Sequence, residues 1–84
     1  MEQGIKVIVG IKNIDAAKHL CSVAEGQAFD IDARTCGKKP AVDAKSLIGL
    51  FSLDLSKPVE IIMHANREET KEFIEAIAGY IIEG

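Results

Sequence analysis

The chain has 84 residues, of which 48% are hydrophobic, and its formal net charge is −3. That length fits one domain over residues 1–84 with a modest core, and it leaves little for a second domain. Charges of both signs are interspersed without a basic stripe, and no apolar run reaches the ~20 residues of a membrane helix, so we expect neither nucleic-acid nor membrane binding.

The first half of the chain alternates between strand and helix patterns. Apolar residues at every second position over 5–11 predict a strand with one buried face. Asn13 is a candidate N-cap, and apolar residues at helical spacing then continue to Gly26, a candidate C-cap. Residues 28–34 alternate again and predict a second strand. Pro40-Ala41-Val42 predicts a short strand at a sheet edge, because proline cannot donate to a ladder.

The second half predicts a short helix, a strand and a long helix. Residues 46–53 are apolar almost all round and predict the short helix, and alternation over 59–65 predicts the strand. Asn66 and Glu69 have the spacing of a capping box, and helical apolar spacing then continues to Ile81. The resulting order, βαββαβα, predicts a two-layer α+β domain in which three helices cover one face of a small antiparallel sheet.

Ferredoxin-like folds share the first six of these elements, and the second helix separates the two possibilities. A ferredoxin-like fold needs about 10 or more residues to cross the sheet at that point. Here only about two helical turns fit before Asp54, and Pro58 follows soon after. The short second helix and the seventh element therefore argue against a ferredoxin-like fold.

The segment 43–53, Asp-Ala-Lys-Ser-Leu-Ile-Gly-Leu-Phe-Ser-Leu, closely resembles the regulatory serine segment of HPr. HPr is the histidine phosphocarrier of the bacterial sugar phosphotransferase system. The preceding turn, Gly37-Lys38-Lys39, matches as well, and the element order agrees over the whole chain. The resemblance implies an HPr-like open-faced sandwich with a four-stranded antiparallel sheet in the order 1-4-2-3. It also implies a bacterial, cytoplasmic protein, and no signal peptide opens the sequence.

The family's phospho-histidine signature, Gly-Leu-His-Ala-Arg-Pro-Ala, aligns with residues 10–16, Gly-Ile-Lys-Asn-Ile-Asp-Ala. Lys12 stands at the acceptor histidine, and a protonated lysine is no comparable nucleophile. Ile14 stands at the arginine and cannot pair with a phosphoryl group. Asp15 replaces the proline and would repel an arriving phosphate. The chain therefore resembles a degenerate HPr, similar to the catabolite-repression HPr-like members that lack the histidine, and we expect no enzyme activity, cofactor or metal.

The resemblance also implies a regulatory site and a docking surface. Ser46 is a candidate N-cap, with Asp43 as the alternative cap, and it aligns with the serine that a dedicated kinase phosphorylates in the family. Leu47, Ile48 and Phe51 occupy the positions that dock on a transcriptional regulator. The helical period predicts that Ile48 and Phe51 point outward, whereas Leu47 turns inward with the other two leucines of the helix.

The remaining chemically active side chains are expected to be structural. His19 lies ~9 Å along the helix from the signature, which is too far to replace the missing histidine. His64 has the outward parity of the last strand. Cys21 is expected in the core and Cys36 in an exposed turn beside Lys38 and Lys39. Reduced thiols suit an intracellular protein, although a disulfide stays open.

Three functions remain open from the sequence. The first is a non-catalytic regulatory or adaptor protein of the phosphotransferase and carbon-catabolite system, with Ser46 as its control point. The second is a phosphocarrier, and the third is a protein-binding module that never meets phosphate. The expected partners are an HPr-type serine kinase, a transcriptional regulator or a phosphotransferase component. The expected oligomeric state is a monomer or a weak homodimer.

Overall fold

The computed structural model of the chain describes residues 4–37 and 40–83. The elements in chain order are β1 (Ile5–Val9), α1 (Ile14–Glu25), β2 (Ile31–Thr35), β3 (Val42–Asp43), α2 (Leu47–Phe51), β4 (Val59–Met63), α3 (Arg67–Ala76), a 3₁₀ turn (Ala78–Tyr80) and β5 (Ile81–Glu83). None of the helices in these two ranges is both long and apolar enough to cross a bilayer.

The described strands form one antiparallel sheet in the order β3-β2-β4-β1-β5. The central strand β4 pairs with β1 on one side and with β2 on the other, so that Val59 lies opposite Val9 in one neighbour and Thr35 in the other. The predicted order 1-4-2-3 is thereby confirmed for the first four strands. The short strand β3 lies at the sheet edge, as the proline before it predicts.

The C-terminal segment is where the prediction is wrong. The final helix was expected to reach Ile81, but α3 ends at Ala76 and the chain turns to add β5 beside β1. Within the described ranges the sheet therefore has five strands rather than the predicted four. Gly79 is a poor helix former, and the β-branched isoleucines of β5 suit a strand. The backbone of β5 also pairs with an edge of β1 that would otherwise be open. The pairing starts where the Gly10 N–H donates to the Tyr80 carbonyl over 2.8 Å.

The second strand starts later than the alternation over 28–34 predicts. The ladder between β2 and β4 begins where Ile31 lies opposite Met63, the last residue of β4. Phe29, ahead of the strand, is half-buried and meets Phe73 edge-to-face with ring centroids 6.3 Å apart. Packing against α3, and not a position in the strand, therefore accounts for an apolar residue at position 29.

The core lies between the helices and one face of the sheet, as predicted. Val59, Ile61 and Met63 of β4 are fully buried there. The opposite face carries Glu60, which pairs with Lys6 at 3.3 Å and accepts a hydrogen bond from Arg34. The hydrogen bond from Arg34 lowers the pKa of Glu60 most, burial opposes that effect, and Lys6 lowers the pKa further.

The predicted helix starts are confirmed by their cap hydrogen bonds. The Ala16 N–H donates to Asn13 Oδ1 over 2.8 Å at the start of α1. At the start of α3, the Glu69 N–H donates to the Asn66 side chain over 2.8 Å, and the Asn66 N–H donates to the Glu69 carboxylate over 3.0 Å. Gly26 is the C-cap of α1, although its φ of −79° is not left-handed and does not require glycine.

Candidate functional site

The start of α1 presents the segment that aligns with the phosphocarrier signature. Lys12 is exposed and comes just before the N-cap Asn13. Ile14 opens the helix with 61% of its surface exposed, so it lies outside the buried apolar stripe of α1. Asp15 is also exposed, in the first turn. The surface here therefore offers an ammonium group, an apolar side chain and a carboxylate.

Both histidines of the chain lie away from that segment. His19 is exposed on α1, and its Nδ1 lies 2.8 Å from the Tyr80 hydroxyl, with the two rings in an edge-to-face contact. His64 is exposed just after β4, with its Nε2 2.9 Å from an Asp32 carboxylate oxygen. The structure thus brings neither imidazole to the position of Lys12. Sequence reasoning missed the contact with Tyr80 because it depends on the unpredicted C-terminal turn.

Ser46 is the N-cap of α2, as predicted. Its exposed Oγ accepts a hydrogen bond from the Gly49 N–H over 3.1 Å. The alternative cap, Asp43, is not used, because its carboxylate accepts from the Lys45 N–H at 2.9 Å instead. A Cβ added at Gly49 would lie 3.3 Å from both Ser46 Oγ and Val42 Cβ, so a glycine here lets α2 approach β3 closely.

The two sides of α2 divide as the helical period predicts. Leu50 is fully buried, and Leu47 and Leu53 are half-buried against the core. Ile48 is 83% exposed and Phe51 is 44% exposed. The outward position of Ile48 and Phe51 is therefore confirmed, and the role of Leu47, Ile48 and Phe51 in partner binding stays a prediction.

The segments on either side of α2 lie near opposite ends of α1. Before α2, Lys45 Nζ donates to the carbonyl of Gln27 over 2.9 Å, just beyond the end of α1. After α2, Ser56 lines a shallow hollow that Lys12 also lines, at the start of α1. The hydroxyl of Ser46 and the ammonium group of Lys12 therefore lie toward opposite ends of the α1–α2 pair, and the structure does not bring them together.

The two cysteines are free thiols in different surroundings. Cys21 is buried on α1, and its burial raises the pKa of the thiol most, followed by the Glu25 and Asp43 carboxylates. Cys36 is half-buried rather than exposed, and its N–H donates to the Pro58 carbonyl over 3.0 Å. The neighbouring Lys38 and Lys39, expected in the same turn, lie outside the described residues. Among the residues that are described, no three side chains of ligating type are placed to hold a metal ion.

These features define a class of small open-faced α+β domain with a serine-capped second helix and an exposed loop before the first helix. A family model described as the PTS HPr component phosphorylation site matches residues 5–83. The chain is also 36% identical over 81 residues to the HPr-like protein Crh of Bacillus subtilis (strain 168), with 93% of each chain covered. This chain therefore belongs to the HPr family, and the resemblance drawn from its sequence is confirmed.

Proposed function

We propose that this chain is a non-catalytic HPr-like regulatory or adaptor protein of the bacterial phosphotransferase and carbon-catabolite system. The observation that carries the proposal is the start of α1, where Lys12 and Ile14 stand at the acceptor histidine and arginine of the family signature. The similarity to the HPr-like protein Crh supports the place of the chain within this family.

The chemistry of phosphate transfer explains why the start of α1 argues against a carrier. A carrier needs a neutral ring nitrogen as acceptor and a cation to hold the phosphoryl oxygens. Lys12 offers an amine in place of a ring nitrogen, and the exposed Ile14 side chain offers no charge. The exposed Asp15 carboxylate lies in the first turn and would oppose a second anion there. The phosphate would therefore find neither its acceptor nor its counter-charge.

Ser46 is the proposed control point. Its hydroxyl is exposed and lies at the start of α2, where a phosphate could accept hydrogen bonds from backbone N–H groups. Asp43 adds a nearby negative charge, because its carboxylate binds the N–H of Lys45, the residue before Ser46. The Lys45 ammonium donates to the Gln27 carbonyl and would have to turn away before it could pair with a phosphate.

The proposed docking surface is the outward side of α2. Ile48 and Phe51 leave apolar surface in water, and contiguous exposed apolar area often marks an interface. We infer a protein partner of the kind expected from the family, namely a serine kinase, a transcriptional regulator or a phosphotransferase component.

A phosphotransfer assay tests the non-catalytic proposal. Mixed with phosphoenolpyruvate and a cognate Enzyme I, the chain should acquire no acid-labile phosphate, while a histidine-bearing HPr in a parallel reaction is labelled. Stoichiometric phosphohistidine at His19 or His64, located by mass spectrometry, would instead establish a phosphocarrier.

A second candidate function is a protein-binding module that works without phosphate. The observation that favours it is the exposed Ile14, which places an apolar side chain at the start of α1 where the family docking surface uses an arginine. The phosphorylation state of Ser46 in an extract of the native cells separates the two candidates. A phosphorylated fraction that changes with carbon source supports the regulatory protein, and a Ser46 that stays unmodified under all carbon sources supports the phosphate-independent module.

A further inference from the structure

A groove of about 580 Å³ runs between α3 and the edge of the sheet formed by β1 and β5. Its apolar lining includes Val7, which is 6% exposed, and the half-buried Ile5, Ile74 and Ile81. The groove lies on α3 and β5, apart from the docking side of α2.

The sheet register gives this groove two different ends. Ile5 lies opposite Met63, at the end of the sheet from which the chain enters α3. Ile81 lies opposite Val9, at the other end of β1. Because α3 starts at the Ile5 end and β5 starts at the Ile81 end, a ligand lying along the groove would meet the start of α3 with one end and the start of β5 with the other.

The charges that line the groove follow the same direction. Arg67 and Lys71 are separated by about one helical turn, ~6 Å, in the first part of α3. Glu75 follows after a second turn, beside the apolar Ile74. The groove therefore has cations toward the start of α3 and a carboxylate toward its end.

The two cations are available to a ligand. Neither Arg67 nor Lys71 takes part in an ion pair within the ranges 4–37 and 40–83, whereas Lys6, which also lines the groove, pairs with Glu60 across the sheet. Of the acidic residues in the first turn of α3, Glu69 is held in the capping box, and Glu68 lines a neighbouring hollow with Arg67 and Lys71 rather than this groove. Charge complementarity at this end therefore favours an anion, on a chain whose net charge is negative.

We propose that this groove binds a small amphiphile with one carboxylate head and one apolar chain, of the fatty-carboxylate class. Arg67 and Lys71 receive the head through charge-assisted hydrogen bonds. The chain lies over Val7 between Ile74 and Ile81, where its burial supplies the remaining affinity. Glu75 repels a second carboxylate at the far end, so the site prefers a monocarboxylate over a dicarboxylate of the same length. This proposal is independent of the function proposed above.

The test is a titration of the isotope-labelled chain with sodium decanoate below its micelle concentration, followed by methyl NMR. Saturable shifts should appear at the methyl groups of Ile5, Val7, Ile74 and Ile81. Decanedioate and decylammonium at the same concentrations should give clearly weaker shifts there. Shifts of equal size at Ile48, or a response that never saturates, would show unspecific adsorption to apolar surface and overturn the proposal.

Charge variants supply the matched control. Arg67→Glu with Lys71→Glu should weaken decanoate binding by at least about tenfold, because one hydrogen bond between charged groups contributes that much. Lys18→Glu with Lys57→Glu changes the net charge equally at exposed positions outside the groove and should leave the affinity unchanged. The Arg67→Gln and Lys71→Gln pair repeats the test without charge reversal, after circular dichroism has established folding. Equal weakening in the control pair would mean that overall charge, and not the groove, attracts the ligand.

Discussion

The outward and inward sides of α2 can be separated by two alanine substitutions only two positions apart. Ile48→Ala removes a side chain that is 83% exposed, whereas Leu50→Ala removes one that is fully buried. Both substitutions delete aliphatic carbon from the same short helix, so the difference between them reports burial. We expect Ile48→Ala to spare the fold and Leu50→Ala to damage it.

The expected magnitudes follow from the exposed fractions. Leu50→Ala should cost about 2–5 kcal/mol, the range for truncating a buried leucine. Ile48 has less than a fifth of its surface buried, so its loss should cost roughly 0.5 kcal/mol or less on an area basis. Alanine also has a higher helix propensity than isoleucine by a few tenths of a kcal/mol, which offsets part of that cost. Ile48→Ala should therefore be close to neutral.

Phe51 lies between these two cases. It is 44% exposed, so Phe51→Ala removes about half of the ~1.5–3 kcal/mol of a fully buried side chain, or roughly 1 kcal/mol. In a domain of this size that corresponds to a fall in Tm of about 4–8 °C. Phe51→Ala should thus lower stability as well as any binding, and Ile48→Ala is the better probe of the proposed docking surface.

The measurement is equilibrium unfolding in urea for the three variants, with partner binding or self-association measured on the same samples. The expected order of destabilisation is Leu50→Ala, then Phe51→Ala, then Ile48→Ala, with association weakened in the last two. An Ile48→Ala variant that loses 2 kcal/mol or more would show that this side of α2 is packed in solution. An unchanged association in both Ile48→Ala and Phe51→Ala would show that the exposed side docks nothing under the conditions used.

Two further predictions concern the signature segment and the open face of the sheet. Lys12→His alone should give little phosphotransfer from Enzyme I, whereas Lys12→His combined with Ile14→Arg and Asp15→Pro should give far more. Equal phosphotransfer in the single and the triple variant would contradict the roles given to positions 14 and 15. Glu60→Gln should lower the free energy of unfolding by about 1 kcal/mol near neutral pH, because it removes the carboxylate whose pKa the Arg34 hydrogen bond lowers. This magnitude lies between that of an exposed ion pair and that of a buried hydrogen bond to a charged group. Since the lowered pKa stabilises the fold only while Glu60 is ionised, urea unfolding should show this deficit in full well above the ordinary glutamate pKa of 4.5 and shrinking as the pH falls through and below that value.

Local chemistry made most of the fold predictable from the sequence. Asn13, Ser46 and Asn66 each cap the helix that follows them, because a short polar side chain at that position accepts a hydrogen bond from an N–H group that the first helical turn leaves unpaired. Alternation over 59–65 identified the central strand, whose inward residues are buried. The strand order came from the family resemblance, and the register agrees with it.

The C-terminal segment was not predictable in the same way. Ile77 and Ile81 continue the helical spacing of α3, and that spacing alone favours a longer helix. The interaction that favours a strand over a longer helix is non-local, because β5 pairs with the edge that β1 leaves free on that side of the sheet. The contact between His19 and Tyr80 depends on the same turn, so it could not be found before the turn was known.

The signature segment shows why the residues of a site can change while its fold remains. Ile11 and Ala16 agree with the signature in size and character, and they are 3% and 8% exposed, so both belong to the core. Lys12 and Ile14 depart from it, and both side chains are exposed. Packing constrains the first pair, because a change of volume in a close-packed core is costly, whereas exposed positions tolerate most substitutions. The same division means that the restoring substitutions at positions 12 and 14 fall on exposed positions and should leave the core intact, so that phosphotransfer, and not folding, is what they test.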